Sequence, residues 1–374
     1  MPKVNRGHEY ALYPDAEQKV FFAKSFGCVR FIWNKMLEAK TTHYQKHKTA
    51  LKITPAAFKK EFPFLKEVDS LALANTQLNL ETAYKKFFKK EARFPKFKSK
   101  KSDKNSYTTN NQGGTIAVVE TDKGTFIKLP KVGLIKIKLH RELPTDSVIK
   151  SATIKQSKSG KYFCTILFEK EIAAPAGVSI SPDRVLGLDY SSGHFYIDSD
   201  GNIADYPQYY RQKEKQLRRA QQKLSRRKKG SNNRNKARIK MARLHEKIAN
   251  QRKDFLHKLS RKITNSYDAV VVENLNLRGL AGSLKLGKST NDNGFGMFRI
   301  FLKYKLEDQG KQLIVIDKFY PSSKTYSECG YINKGLTLKD RMWVCPSCGT
   351  IHNRDFNAAV NIKKEGLRIL NLAT

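Results

Sequence analysis

Two short unbroken apolar runs, Val185-Leu186-Gly187-Leu188 and Ala269-Val270-Val271-Val272, each end on a carboxylate, Asp189 and Glu273. Runs of that length without polar alternation suit strands buried on both faces, so each acid ends a central strand. After Asp189 the pattern alternates as far as Asp198, and Asp198-Ser199-Asp200-Gly201 closes it, which reads as a hairpin partner strand. A third acid, Asp355, precedes a segment in which Ala358, Ala359 and Ile362 share one helix face. That helix lays its acidic first turn against the sheet, with Asp355 facing the two strand ends.

One acid at a strand end is most often a solvated loop residue. Three brought together repel one another, which raises their pKa values unless cations neutralise them. Hard divalent ions prefer oxygen ligands, so the trio implies Mg²⁺ or Mn²⁺. Two such ions about 4 Å apart activate a water, stabilise charge on a phosphate and hold a leaving 3′ oxygen. The chemistry expected of Asp189, Glu273 and Asp355 is therefore phosphodiester hydrolysis, with the same three residues as catalytic groups and metal ligands.

Charge points the same way. The 374 residues carry 72 Lys plus Arg against 34 acids, a formal net charge of +38, which calls for a polyanionic partner. A ribosomal or histone-like packing protein would show the same excess, but here 39% of residues are apolar, enough for sizeable cores in two or three units. No apolar stretch approaches the roughly 20 residues needed to span a bilayer, and Met1-Pro2-Lys3-Val4-Asn5-Arg6 lacks a signal-peptide core. The expectation is a soluble cytoplasmic protein with no membrane partner. Five cysteines, three of them clustered, do not make an extracellular disulfide framework.

Along the chain, His8 to Tyr13 reads as a strand ended by Pro14. Helices are expected over 16–44, 55–60 and 70–90, with Val20, Phe26, Ile32, Met36, Leu71, Leu78 and Phe87 among their apolar stripes. A Lys-rich loop with Phe94 and Phe97 follows, and period-two strands occupy 115–173. The segment from Glu171 to Asp183 reads as a linker. The most basic stretch, 211–262, breaks at Gly230-Ser231-Asn232-Asn233 into two helices. Few acids are there for i,i+4 pairing, so a nucleic-acid backbone suits these cations better than mutual solvation. Arg218, Arg219, Arg226, Arg227, Lys228 and Lys229 are the candidate contacts. Around Phe97 and Tyr107, the flanking Lys96 and Lys98 hold a backbone while the aromatics stack bases. Lys324 and Arg354 are candidates for the scissile phosphate. Trp33, Cys28 and Cys164 read as core.

The phrases Gly187-Leu188-Asp189-Tyr190-Ser191-Ser192, Val272-Glu273-Asn274-Leu275-Asn276 and His352-Asn353-Arg354-Asp355-Phe356-Asn357-Ala358-Ala359, in that order, resemble the three parts of a RuvC-type nuclease domain. More narrowly they resemble the transposon-encoded TnpB family of RNA-guided DNA endonucleases, relatives of the type V CRISPR effectors. Phe26 to Asn34, Phe94 to Lys98, Ser231 to Asn233, Asn250 to Lys258 and Ser322 to Thr325 agree, so the likeness spans nearly the whole chain. It implies a multidomain α+β and α/β protein. An N-terminal wedge-like β-barrel would comprise 1–15 and 111–180, with a helical recognition insertion at 16–110. An RNase H-like RuvC nuclease domain would occupy 181–374, including the basic helices 211–262 and a zinc-ribbon-like insertion at 321–350. It also implies the partners: a guide RNA from the transposon end and double-stranded target DNA cut beside a short flanking motif.

Cys345-Pro346-Ser347-Cys348 is half of a zinc ribbon. Family members generally carry a second CxxC where this chain has Tyr326-Ser327-Glu328-Cys329, so Tyr326 stands in place of a cysteine. Cys329, Cys345 and Cys348 remain as ligands, with His352 a candidate fourth, and Zn²⁺ binding stays open. The alternative to the endonuclease is an RNA-guided DNA-binding regulator with an impaired nuclease site; a guide-independent nuclease or a transposase ranks lower.

Overall fold

The computed structural model describes residues 3–101, 105–171, 177–191, 193–277, 279, 282, 287–337 and 340–371. The chain divides into two compact units, Met1–Ala173 and Ala174–Thr374. Residues 172–176 of the expected linker lie outside the described residues.

In the first unit, β1 (Lys3–Tyr13) is followed by two helices, α1 (Ala16–His47) and α2 (Ser70–Phe88), with short 3₁₀ turns between them. Pro14 stops the strand, and Asp15 starts α1 with a reciprocal cap: its carboxylate accepts from the Gln18 amide at 2.8 Å, and the Gln18 side chain accepts from the Asp15 amide. Six more strands follow: β2 (Asn105–Asn110), β3 (Ala117–Thr121), β4 (Gly124–Leu129), β5 (Gly133–Lys138), β6 (Ser147–Gln156) and β7 (Tyr162–Glu171). They join β1 in one antiparallel sheet of order β2-β6-β7-β1-β5-β4-β3. Where a barrel was expected the sheet is open, because among the described residues β2 and β3 end the order without pairing with each other. Phe22 and Phe26 of α1 pack onto its inner face, against Tyr10, Tyr107, Ile154 and Ile166. Farther along α1, Ile32, Met36 and Leu37 meet Leu73 and Leu80 of α2 in a second core. Val20 and Leu78, assigned to the apolar stripes, are exposed.

The second unit is built on a five-stranded sheet of order β10-β9-β8-β11-β12. Its strands are β8 (Val185–Tyr190), β9 (Tyr196–Asp198), β10 (Ile203–Ala204), β11 (Ala269–Glu273) and β12 (Gln312–Ile316). β8, β11 and β12 run parallel, and β9 folds back antiparallel on β8 with Leu188 opposite Asp198. The apolar runs are buried on both faces, as their lack of alternation requires. Leu186, Leu188, Val270 and Val272 face a core with Leu256, Phe295, Phe298 and Leu302, whereas Val185, Ala269 and Val271 face Ile362 on the other side. Each such side chain stabilises the fold by about 1.5–3 kcal/mol. The basic helices α3 (Tyr209–Ser225) and α4 (Asn232–Ser266) form a hairpin, followed after β11 by α5 (Gly287–Asn293) and α6 (Phe295–Glu307). At the strand starts Asp268 is buried between Arg184 and Lys311, with its Oδ1 at 3.1 Å from the Lys311 ammonium. A small hairpin, β13 (Met342–Val344) with β14 (Ile351–Asn353), leads into the last helix, α7 (Arg354–Ile369).

Candidate active site

Parallel pairing sets Leu188 beside Val272, so the next residues, Asp189 and Glu273, leave neighbouring strands at the same level. The third acid arrives on α7. Asn353 caps that helix by accepting from the amides of Asp355 and Phe356 at 3.1 Å, which puts Asp355 in the first turn. Two glycines bring the helix onto the sheet. A Cβ at Gly187 would lie 2.3 Å from the Ala359 carbonyl oxygen, and one at Gly366 would lie 2.3 Å from Val271. Backbone therefore meets backbone where α7 crosses β8, and Asp355 is held beside the two strand ends.

Asp189 is 9% exposed. Burial pushes its carboxyl well above the usual range, and the charges of Glu273 and Asp355 push it further, against a smaller pull from Arg354 and Arg341. Burial also raises Glu273, opposed by the Ser322 hydroxyl, which donates to Glu273 Oε1 at 2.5 Å. Asp355 accepts from Arg341 at 2.8 Å and from Arg354 at 3.0 Å, so two guanidiniums stand at the acid cluster. Asp189 thus feels the charges of both Glu273 and Asp355, but the three do not form a closed ligand set: among the described residues, the one group of His, Cys or acidic donor atoms within 4.8 Å of one another is Cys329, Cys345 and Cys348. Asp355 is turned onto its two arginines. The donors at the acid cluster are all carboxylate oxygens, Asp189 buried and Glu273 and Asp355 half-buried, and this set fits a hard divalent cation.

Arg354, expected at the phosphate, thus contacts Asp355. Sequence reasoning missed Arg341 and the bond from Ser322; the first lies in the ribbon insertion, whose return onto the acids only the fold shows. Lys324 is exposed, its ammonium 3.5 Å from the Lys334 carbonyl. Arg218, Arg219, Arg226, Arg227, Lys228 and Lys229 are all exposed on and after α3. Lys223 and Arg227 of this hairpin line a cleft of about 260 Å³ with Asn233, Lys236 and Lys240 of α4. In the first unit Lys96 and Phe97 are exposed, Phe97 at 63%. Lys98 sets its ammonium 3.7 Å from the centroid of the Trp33 ring. Tyr107 is 5% exposed and packs on Phe22 and Phe26, so it is a core residue and not a base-stacking platform. Its place in a period-two strand, with alternate residues inward, is the signal that the Lys-rich flanks obscured. Trp33, Cys28 and Cys164 are buried as expected.

Comparison with known proteins gives this geometry its context. A protein of Streptomyces pristinaespiralis with the name "Putative RNA-guided DNA endonuclease" is 34% identical over 98% of this chain and 90% of its own length. The chain belongs to the TnpB family. The Escherichia coli K12 protein InsQ, named likewise, is 30% identical over 97% of this TnpB-family chain and 92% of its own. The family description "Probable transposase" matches residues 179–284, which hold Asp189 and Glu273, and "Cas12f1-like, TNB domain" matches 295–362, which hold the ribbon and Asp355. A "Helix-turn-helix domain" description matches 1–49, where this fold has one strand and one long helix. The solved Cas12f1–sgRNA–target DNA complex shares the fold, with a TM-score of 0.61 and 12% identity over 96% of this chain and 99% of that one.

In the TnpB ribbon, Cys329 and Cys345 have their sulfurs 3.5 Å apart. The amides of Ser347 and Cys348 both donate to Cys345 Sγ at 3.4 Å. Hydrogen bonding with the side chain and backbone of Thr350 pulls the Cys348 thiol down to about 7. His352, the candidate fourth ligand, lies on β14 opposite Trp343 and outside the sulfur cluster. No described helix is long and apolar enough to cross a membrane.

Proposed function

We propose that this chain is an RNA-guided, divalent-metal-dependent DNA endonuclease of a mobile element, which hydrolyses target DNA next to a short flanking motif. The observation that carries the reading is the buried Asp189, its carboxyl raised by burial and by Glu273 and Asp355, at the C-terminal ends of two parallel strands. A cluster that holds acids against their own repulsion costs stability in the free protein, and cation binding recovers that cost. Asp189, Glu273 and Asp355 would hold Mg²⁺ or Mn²⁺, which when bound supplies an activated water and neutralises charge at the scissile phosphate. Ser322 orients Glu273 through its hydrogen bond. Arg341 and Arg354 carry charge that a phosphate oxygen can accept as well as a carboxylate does. The basic cleft between α3 and α4 suits a sugar-phosphate backbone read by charge alone. A guide RNA from the transposon end supplies the sequence specificity.

The test is to purify the protein with its bound RNA, sequence that RNA, and challenge the complex with matching target in a library of randomised flanks in Mg²⁺. One defined RNA and cleavage beside one short motif are expected. Asp189→Ala, Glu273→Gln and Asp355→Ala should each abolish cutting and leave RNA and target binding nearly intact. Wild-type protein that binds its guided target without cutting would instead make it a regulator.

A further inference from the structure

The ribbon is built from two turns of the same design. In one, Gly349 donates its amide to the Cys345 carbonyl at 2.9 Å; in the other, Gly330 donates to the Tyr326 carbonyl at 2.9 Å. Both glycines have positive φ, 71° and 75°, a conformation that side chains with a Cβ seldom adopt. Each turn places a sulfur just before its glycine, Cys348 and Cys329. The residue three positions earlier is Cys345 in one turn and Tyr326 in the other. Tyr326 thus holds the backbone place of a fourth thiolate in a turn that keeps its shape.

The Tyr326 side chain is used for packing. It is 1% exposed, and its ring centroid lies 3.7 Å from that of Trp343 and 4.8 Å from that of His352. A ring held in that stack brings no thiolate to the sulfur cluster. On the outer side, Cys329 and Cys348 are exposed while Cys345 is buried. Three sulfurs within 4.8 Å of one another, one pair at 3.5 Å, are near the separation of about 3.8 Å that thiolates take round one tetrahedral zinc, and are far too distant for a disulfide.

We propose that this ribbon is a three-thiolate divalent-metal site whose fourth position is open to solvent, and that the Tyr326-Trp343-His352 stack, not the metal, holds the ribbon folded. In a structural zinc site four protein ligands close the coordination sphere, and an open position belongs to sites that exchange a ligand. The metal here is therefore exchangeable by small donors and is lost to chelators while the ribbon stays in place.

The test uses Co²⁺ as a spectroscopic probe on the full-length protein. Wild type should bind one thiolate-ligated Co²⁺ per chain, seen by its charge-transfer absorption and separate from any ion at the acid cluster, and added imidazole should shift the visible d–d bands of that thiolate site. Tyr326→Cys should add a fourth thiolate's absorption, abolish the response to imidazole and slow loss of the metal to a chelator by about 10–100-fold, the range for a good supporting group. Tyr326→Phe should match wild type in both spectrum and imidazole response. A wild-type spectrum blind to imidazole, a changed spectrum in Tyr326→Phe, or Co²⁺ absorption that survives Cys348→Ser unaltered would each overturn the proposal. So would unfolding of the ribbon on metal removal, read from the environment of Trp343 by fluorescence.

Discussion

Gly187→Ala is the sharpest perturbation of how α7 delivers Asp355. The added Cβ would sit 2.3 Å from the Ala359 carbonyl oxygen and 2.7 Å from the Lys363 amide nitrogen, both backbone atoms that cannot rotate away. Restoring ordinary contact moves helix and strand apart by about 1 Å, and overpacking of this kind costs about 1–3 kcal/mol. Asp355 rides on the displaced turn, and a misplacement of about 1 Å in a catalytic group can slow the chemistry about 100-fold. Single-turnover cleavage of a matched target by the RNA-loaded protein reads the rate, and thermal melting reads the stability. Gly27→Ala, in the middle of α1 with no atom within 4 Å of the new Cβ, is the control and should be stabilising by about 0.5–1 kcal/mol. Wild-type cleavage and melting by Gly187→Ala would refute the idea that close backbone contact positions the acid.

Other outcomes follow from the charges. Because the Asp189 carboxyl is raised above its ordinary 3.8, the folded metal-free protein holds a proton that the unfolded chain releases. Its stability falls as pH climbs from there through the raised value, at up to about 1.4 kcal/mol per pH unit. The rise in Tm on adding Mg²⁺ should accordingly be larger at pH 8 than at pH 5, and a pH-independent rise would count against a buried acid cluster. Asp268 behaves oppositely: the hydrogen bond from Arg184 lowers it, so its contribution is present above 3.8 and lost as pH falls below that. Asp268→Asn should destabilise the protein by about 1.5–3 kcal/mol at pH 7, the difference from wild type shrinking as pH falls below 3.8, as measured by denaturant melts. Phe97→Ala should weaken RNA or DNA binding in a filter assay without changing Tm, whereas Tyr107→Ala should lower Tm by removing a core ring. Equal effects of the two on binding alone would contradict the burial pattern.

The two strand-ending acids were legible because burial on both faces leaves a continuous apolar run, and a carboxylate after it is conspicuous. Asp355 was legible from the spacing of Ala358, Ala359 and Ile362. Arg341 was not, since nothing local marks an arginine in a ribbon as the partner of an acid 14 residues later. The sheet of the first unit misled in closure: period-two strands predict pairing, but whether the last strand meets the first depends on curvature that no single strand encodes. Tyr107 misled because the Lys-rich segment before it reads as a loop, whereas Tyr107 itself lies in β2, where it and Thr109 point inward. Tyr326 was visible as a departure, and its packing role emerged only with Trp343 and His352 brought beside it.

Diffraction at the manganese edge from crystals soaked in Mn²⁺ tests most directly whether the acids gather a divalent cation. Anomalous density among Asp189, Glu273 and Asp355, with Arg341 drawn off Asp355, is the predicted result. A site without anomalous density, with Arg341 and Arg354 still paired to Asp355 at saturating Mn²⁺, would contradict it.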